Sequence, residues 1–317
     1  MNILITGISG FAGKHLAWHI LNEAQKFSEK KCLIYGFDLS LPETDLQRQI
    51  VYCQGNITVQ SDIDEAVRKA NPDIVFNLAG MAFVPDAEKN PINAMQINAL
   101  GVVNLFQSLL NIKRDARIVL ISSSEVYGKV DASKQPITET VLADPVNVYG
   151  ISKLTMERFS DYYIRTCEMD ASILRPFNHV GPGQSDRFVL SSFAKQIADI
   201  EKGLSRPVLY VGNLSPYRDF TDVRDIARAY WLSALHGKSG EIYNICSGQK
   251  LSVRHVVDEL IRQAKVHIDI EVDSERYRES DTPLFIGSSE KFKNETGWIP
   301  EFSMEDTVKS VLDYWRS

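Results

Sequence analysis

Short apolar runs alternate along the chain with segments whose apolar residues recur every three or four positions. The apolar runs are Asn2 to Thr6, Cys32 to Phe37, Ile50 to Cys53, Ile74 to Leu78, Ile118 to Ser122 and Ser172 to Leu174, and each reads as a strand. Helices are expected to start near Gly10, Ser61, Pro91, Val148, Ser185, Asp222, Ser252 and Ser303. Ser61-Asp-Ile-Asp64 and Ser303-Met-Glu-Asp306 both have the character of a capping box. Strands separated by helices call for right-handed crossovers, hence an α/β fold on a doubly wound parallel sheet. After Pro176 the pattern changes: Asn178-His-Val-Gly-Pro-Gly183 is a turn-rich crossing, and helices then mix with short strands. Residues 1–175 are expected to form one domain, with 213–245 returning to it. Residues 176–212 and 246–317 would form a smaller α/β domain.

The first apolar run leads straight into Gly7-Ile-Ser-Gly10-Phe-Ala-Gly13, with a helical pattern behind it. Three glycines spaced three apart between a strand and a helix bind a dinucleotide pyrophosphate. Gly7 permits the turn, Gly10 lets the backbone approach the phosphates, and Gly13 lets the helix pack on the sheet. The anion sits on N–H groups at the helix N-terminus. The second run ends in Asp38, where a carboxylate takes both hydroxyls of the adenosine ribose and repels a 2′-phosphate. No arginine follows before Arg48. This favours NAD(H), with NADP(H) as the alternative.

Tyr149 and Lys153 lie four positions apart in Val148-Tyr-Gly-Ile-Ser-Lys153. On a helix they share a face, one turn apart. A lysine cation beside a phenol stabilises the phenolate and is expected to lower its pKa from about 10. Such a pair moves a proton to or from an alcohol or ketone. Ser123, a hydroxyl ending a strand, can hold the same oxygen.

Composition narrows the class. Hydrophobic residues make up 44% of 317, enough for a full core. A net charge of −6 and the absence of a basic run argue against a nucleic-acid partner. The first strand starts too early for a signal peptide, and no apolar run is long enough to span a bilayer. A cytoplasmic protein is expected, with no membrane contact. Cys32, Cys53, Cys167 and Cys246 are widely spaced and suit small buried residues in a reducing compartment. His15 and His19 fall on the first helix and read as packing or surface residues; no metal site is expected.

Taken together, the glycine turn, Asn77-Leu-Ala-Gly80, Ser122-Ser-Ser-Glu-Val-Tyr-Gly128 and the Tyr149/Lys153 pair resemble the extended short-chain dehydrogenase/reductases. Four further segments resemble the nucleotide-sugar branch of that family: Arg175-Pro-Phe-Asn-His-Val-Gly-Pro-Gly-Gln184, Val211 to Asp225, Tyr243-Asn-Ile-Cys-Ser-Gly248 and Thr296-Gly-Trp298. The branch holds the GDP-mannose 4,6-dehydratases and the reductases that act on their keto product. The resemblance implies a Rossmann-type sheet with a C-terminal substrate domain, and a homodimer joined by the helices of Pro91–Leu110 and Val148–Cys167. Val102, Leu105, Phe106 and Leu109 would form an apolar stripe on the first of these.

The resemblance also assigns roles. Gly7, Gly10, Phe11, Ala12, Gly13, Asp38, Asn56, Ile57, Leu78, Ala79 and Gly80 would hold the cofactor, together with Tyr149 and Lys153. Ser123, Tyr149 and Lys153 would be catalytic. Glu125 stands where the dehydratases keep the carboxylate that removes a proton from sugar carbon 5. Asn178, Arg218 and Arg278 would receive a nucleotide diphosphate, which suits guanidinium forks and amide donors, with Asn213 and Lys195 as nearby substrate-binding residues. Some positions depart from the family. Asn56 stands where an aspartate often meets adenine, Glu279 stands where proline is common, and Gly183 to Phe188 lacks the paired arginines of the dehydratases. The implied activity is therefore NAD(P)H-dependent reduction of the 4-keto group of a GDP-4-keto-6-deoxyhexose, to GDP-D-rhamnose or its C4 epimer. A dehydratase or an epimerase on the same fold is the alternative. An inactive cofactor-binding regulator is disfavoured by the intact Ser123, Tyr149 and Lys153.

Overall fold

The structure is a computed structural model that describes residues 1–24, 32–112, 115–277 and 282–317. Its centre is a seven-stranded sheet. We label the first strands β1 (Asn2–Thr6), β2 (Leu33–Asp38), β3 (Val51–Gln54), β4 (Ile74–Asn77), β5 (Arg117–Ile121) and β6 (Ala171–Pro176). Ile242–Ile245 adds a further strand beside β6, and the order across the sheet is Ile242–Ile245, β6, β5, β4, β1, β2, β3. Every neighbouring pair is parallel. The expected strands are all present; Ile242–Ile245 is an addition.

Side chains of β1 alternate between two apolar layers, as a period of two requires. Ile3 and Ile5 join Leu16 and Ala17 of helix α1 (Phe11–His19), together with Tyr230 and Trp231. Leu4 faces the other way, toward Val102, Leu105, Phe106, Leu109 and Tyr163. The apolar spacing on Gly101–Ile112 thus serves the protein's own sheet: Val102, Leu105, Phe106 and Leu109 are buried there and form no external stripe.

A separate apolar cluster gathers Leu190, Phe193 and Ile197 with Leu209, Val257, Leu260, Val308 and Leu312. It draws on the helices Val189–Glu201, Val253–Arg262 and Met304–Arg316. The short strands Tyr217–Arg218 and Phe220–Asp222 belong to small sheets, and the chain rejoins the large sheet through the helix Val223–His236. The capping box at Ser303 forms, with reciprocal bonds to Asp306. The one expected at Ser61 does not: that helix runs Gln60–Ala70 without a side-chain cap, because Asp64 is engaged by Gln60 and Ser108.

The chain steps outward from β1 to β3, then returns to place β4 on the other side of β1. Ligands of open α/β sheets bind where the order reverses, at the carboxyl ends of the strands. Here those ends carry Gly7, Leu78 and Ser122.

Candidate active site

The turn after β1 has the shape a pyrophosphate needs. Gly7 sits at φ +71°, and a Cβ there would lie 2.6 Å from the Ala79 nitrogen. A Cβ on Gly13 would come within 2.2 Å of the Gly7 carbonyl oxygen. Side chains would therefore prise α1 from the sheet. Gly10 caps α1 with no side chain, and no acidic residue occupies the first turn, so its N–H groups at Phe11 and Ala12 suit an anion. Thr6 steadies the facing loop, accepting from Ala79 N–H and donating to Asn77. Asp38 is half-buried and accepts from the N–H groups of Ser9 and Ser40, at 3.0 and 3.3 Å. Asn56 Oδ1 already accepts twice from Thr58, and the Ile57 carbonyl accepts from Asn104. What Asn56 offers a base is therefore its amide N–H2, and not the acceptor that an aspartate would present. The residues fit a dinucleotide.

Tyr149, Lys153 and Ser123 are all buried and converge at the end of β5. Ser123 caps a short turn by accepting the Glu125 N–H at 3.1 Å, and its hydroxyl lies beside the Tyr149 phenol. Lys153 donates to the Ile121 carbonyl at 2.7 Å, and its ammonium stands 6.0 Å from the Tyr149 ring centre. The expected lowering of the phenol does not appear. Burial pushes Tyr149 up to about 12, Glu125's charge adds to the rise, and the Ser123 hydroxyl only opposes it. Burial also brings Lys153 down to about 8 against the pull of Glu157. At neutral pH the site thus presents a protonated phenol, the form that gives a proton to a carbonyl oxygen.

Glu125 does not stand alone. Its Oε2 accepts from Asn147 Nδ2 at 2.7 Å, and Asn147 Oδ1 caps the Val148–Cys167 helix by accepting the Gly150 N–H at 2.7 Å. Asn98 is fully buried on a π-helical turn, Gln96–Leu100, and ties the Met81 backbone to Ser152. Asn98 and Asn147 went unread in the sequence. An asparagine directly before an expected helix start was the available signal for the second.

The sugar-side residues fare unevenly. Arg218 Nη1 donates to the carbonyls of Tyr217 and Thr282, each at 2.9 Å, and burial lowers its pKa while Glu125 acts the other way. It is not paired with Asp219, which instead accepts from Ser247, Gly248 and Gly287. Asn178 is exposed beside Phe220. Asn213 Oδ1 accepts from Ser215 within a turn. Lys195 is ion-paired to Asp186 at 2.6 Å. Arg278 lies outside the described residues. Arg187 clasps Asp86 through both arms, at 2.7 and 2.6 Å, which joins Gly183–Phe188 to the helix Val84–Lys89 of the same chain. His15 Nε2 bonds the Pro182 carbonyl at 2.8 Å. No helix among the described residues is long and apolar enough to cross a membrane.

A glycine cradle at the switch point, with serine, tyrosine and lysine gathered at the end of β5 two strands away, defines a nicotinamide-dependent enzyme of the extended short-chain dehydrogenase/reductase class. Residues 4–311 match the profile of the GDP-mannose 4,6 dehydratase family, and the chain belongs to that family. It is 34% identical over 317 residues to GDP-6-deoxy-D-mannose reductase of Pseudomonas aeruginosa, covering 99% of this chain and 97% of that one. It is 29% identical to GDP-6-deoxy-D-talose 4-dehydrogenase of Aggregatibacter actinomycetemcomitans, covering 99% and 96%. The solved structure of RMD from Pseudomonas aeruginosa complexed with NADPH superposes with a TM-score of 0.87 at 32% identity, covering 100% of this chain and 99% of that one.

Proposed function

We propose that the protein is an NAD(P)H-dependent reductase of the 4-keto group of a GDP-4-keto-6-deoxyhexose, giving the rhamno sugar or its C4 epimer. The observation that carries the reading is the buried Tyr149 phenol, set beside Ser123 at the end of β5 and one helical turn from the buried Lys153. The cofactor supplies hydride to the carbonyl carbon. Tyr149 gives its proton to the carbonyl oxygen as negative charge develops there. Ser123 holds that oxygen, and the Lys153 ammonium stabilises the charge left on the phenol. The similarity to a reductase and a 4-dehydrogenase of GDP-6-deoxyhexoses supports the substrate class.

In this reading Asn178 and Arg218 receive the diphosphate, with Asn213 and Lys195 nearby, and residues 176–212 and 246–317 form the sugar-nucleotide domain. Asp38 makes NAD(H) the preferred cofactor. A cytoplasmic homodimer is the expected assembly. Ile151, Phe159 and Tyr162 lie exposed along one face of the Val148–Cys167 helix, which supports such an interface. Dehydration would require Glu125 to act as the base at sugar carbon 5, whereas here its Oε2 accepts from the Asn147 helix cap. The test incubates the protein with GDP-mannose, and separately with its 4-keto-6-deoxy derivative plus NADH. Oxidation of one NADH per keto sugar, with GDP-mannose unchanged, is expected. Formation of the keto sugar from GDP-mannose without added reductant would instead establish the dehydratase.

A further inference from the structure

We propose that Glu125 is a positioning residue that sets the catalytic geometry through two arms, its backbone N–H on Ser123 and its carboxylate on the Asn147 cap of the helix bearing Tyr149. The inference rests on the ketoreductase reading above. The first arm is the 3.1 Å bond from Glu125 N–H to Ser123 Oγ, the oxygen that meets the Tyr149 phenol. The second runs from Glu125 Oε2 to Asn147 Nδ2 at 2.7 Å, and from Asn147 Oδ1 to the Gly150 N–H, also at 2.7 Å. The amide of Asn147 is planar, so holding its nitrogen aims its oxygen. Its terminal torsion is otherwise broad, and an unanchored cap leaves the first turn loose. Tyr149 lies in that turn, between Asn147 and Gly150.

Packing reinforces the link. A Cβ on Gly150 would lie 2.6 Å from the Glu125 carbonyl oxygen, so turn and helix meet backbone to backbone. The Glu125 charge in turn acts on the buried Arg218 guanidinium, opposing the fall that burial imposes on its pKa. A charge-assisted bond to a capping amide is stronger than a neutral one. Misplacing a reacting group by about 1 Å costs about a hundredfold in rate, so the two arms bear directly on turnover.

A polarity swap tests this. Asn147→Asp keeps a good helix cap but sets a carboxylate against Glu125. Adding Glu125→Gln lets the introduced amide donate to the introduced carboxylate and re-forms the bond with its direction reversed. Asn147→Asp is expected to lower kcat for the keto sugar about a hundredfold. KM should stay within about threefold and the melting temperature within a few degrees, since the cap is kept. The double variant should recover most of the lost kcat, a coupling that independent sites do not show. A double variant as slow as Asn147→Asp would overturn the proposal. Asn147→Ser retains a cap and drops only the tie to Glu125; unchanged kcat in that variant would overturn the proposal even if Asn147→Asp folds poorly. A wild type that never reduces the keto sugar would reject the ketoreductase reading instead, so the two failures are separate.

Discussion

Arg175 clasps Glu157 through both arms, Nε to Oε1 at 2.9 Å and Nη2 to Oε2 at 2.7 Å, one helical turn beyond Lys153. Ser122 donates to the same carboxylate at 2.5 Å, and the guanidinium lies 4.7 Å from the centre of the Tyr127 ring. Both partners are almost wholly buried. Removing one leaves an uncompensated charge in an apolar setting, which costs about 3–5 kcal/mol. Arg175→Met is therefore expected to destabilise the fold by about that much, read by urea unfolding. Arg175→Met combined with Glu157→Gln should cost clearly less. A loss in the double variant equal to the sum of the two single losses would refute the pairing.

The same carboxylate governs a pH limb. Lys153 sits at about 8 because burial disfavours its charge, while Glu157 supports it. Above that pH the ammonium is lost, so kcat/KM for keto reduction should fall with an apparent pKa near 8. Tyr149, pushed up to about 12, stays protonated throughout and does not set this limb. Glu157→Gln removes the support and should move the limb to lower pH. A limb that stays in place would show that Lys153 does not control it. Stability carries the matching signs. Between about 8 and its ordinary 10.5, Lys153 is less protonated in the folded chain than in the unfolded one, so its burial penalty fades as pH rises. Tyr149 acts oppositely: its contribution is intact below its ordinary 10 and is lost as pH climbs through about 12.

Tyr149→Phe keeps the ring in its buried seat and deletes the proton donor. Turnover should fall by about two to four orders of magnitude, the usual scale of general acid catalysis. Dinucleotide affinity, measured by calorimetry, should change little, because the cradle at Gly7 to Gly13 is untouched. Near-normal turnover would remove Tyr149 from the role.

The parallel sheet was legible because six strands are short apolar runs separated by helical patterns, and the glycine turn announced its ligand through residue type and spacing together. The strand Ile242–Ile245 escaped notice, since Tyr243-Asn-Ile mixes polar with apolar residues; Asn244 is buried there because Tyr127 donates to it. The stripe Val102-Leu105-Phe106-Leu109 had the right period, but periodicity does not say which surface a face meets. The Tyr149 phenol was misjudged for a similar reason. Spacing reveals that Lys153 is near, while the direction of the shift depends on burial, which only the fold sets. Asn147 and Glu125 lie far enough apart in sequence that no local pattern joins them.

Cofactor choice is expected to turn on Asp38. Its carboxylate is fixed by the N–H groups of Ser9 on one side and Ser40 on the other, so it cannot swing away from a ribose placed over the turn. A 2′-phosphate would bring negative charge against it. NADH is therefore expected to give the higher kcat/KM, even though a structural relative was solved complexed with NADPH. Leu39 is 61% exposed at the adjoining position, with its carbonyl held by Gln54, so a longer side chain there has room to reach the ribose. Asp38→Ala with Leu39→Arg removes the repulsion and adds a guanidinium suited to a phosphate. Each about 1.4 kcal/mol regained by NADPH is a tenfold change in the preference ratio, and the double change should shift it at least that far. The measurement is kcat/KM for both cofactors on wild type and variant. A wild type that strongly prefers NADPH, with a ratio unmoved by the substitutions, would show that Asp38 does not read the ribose.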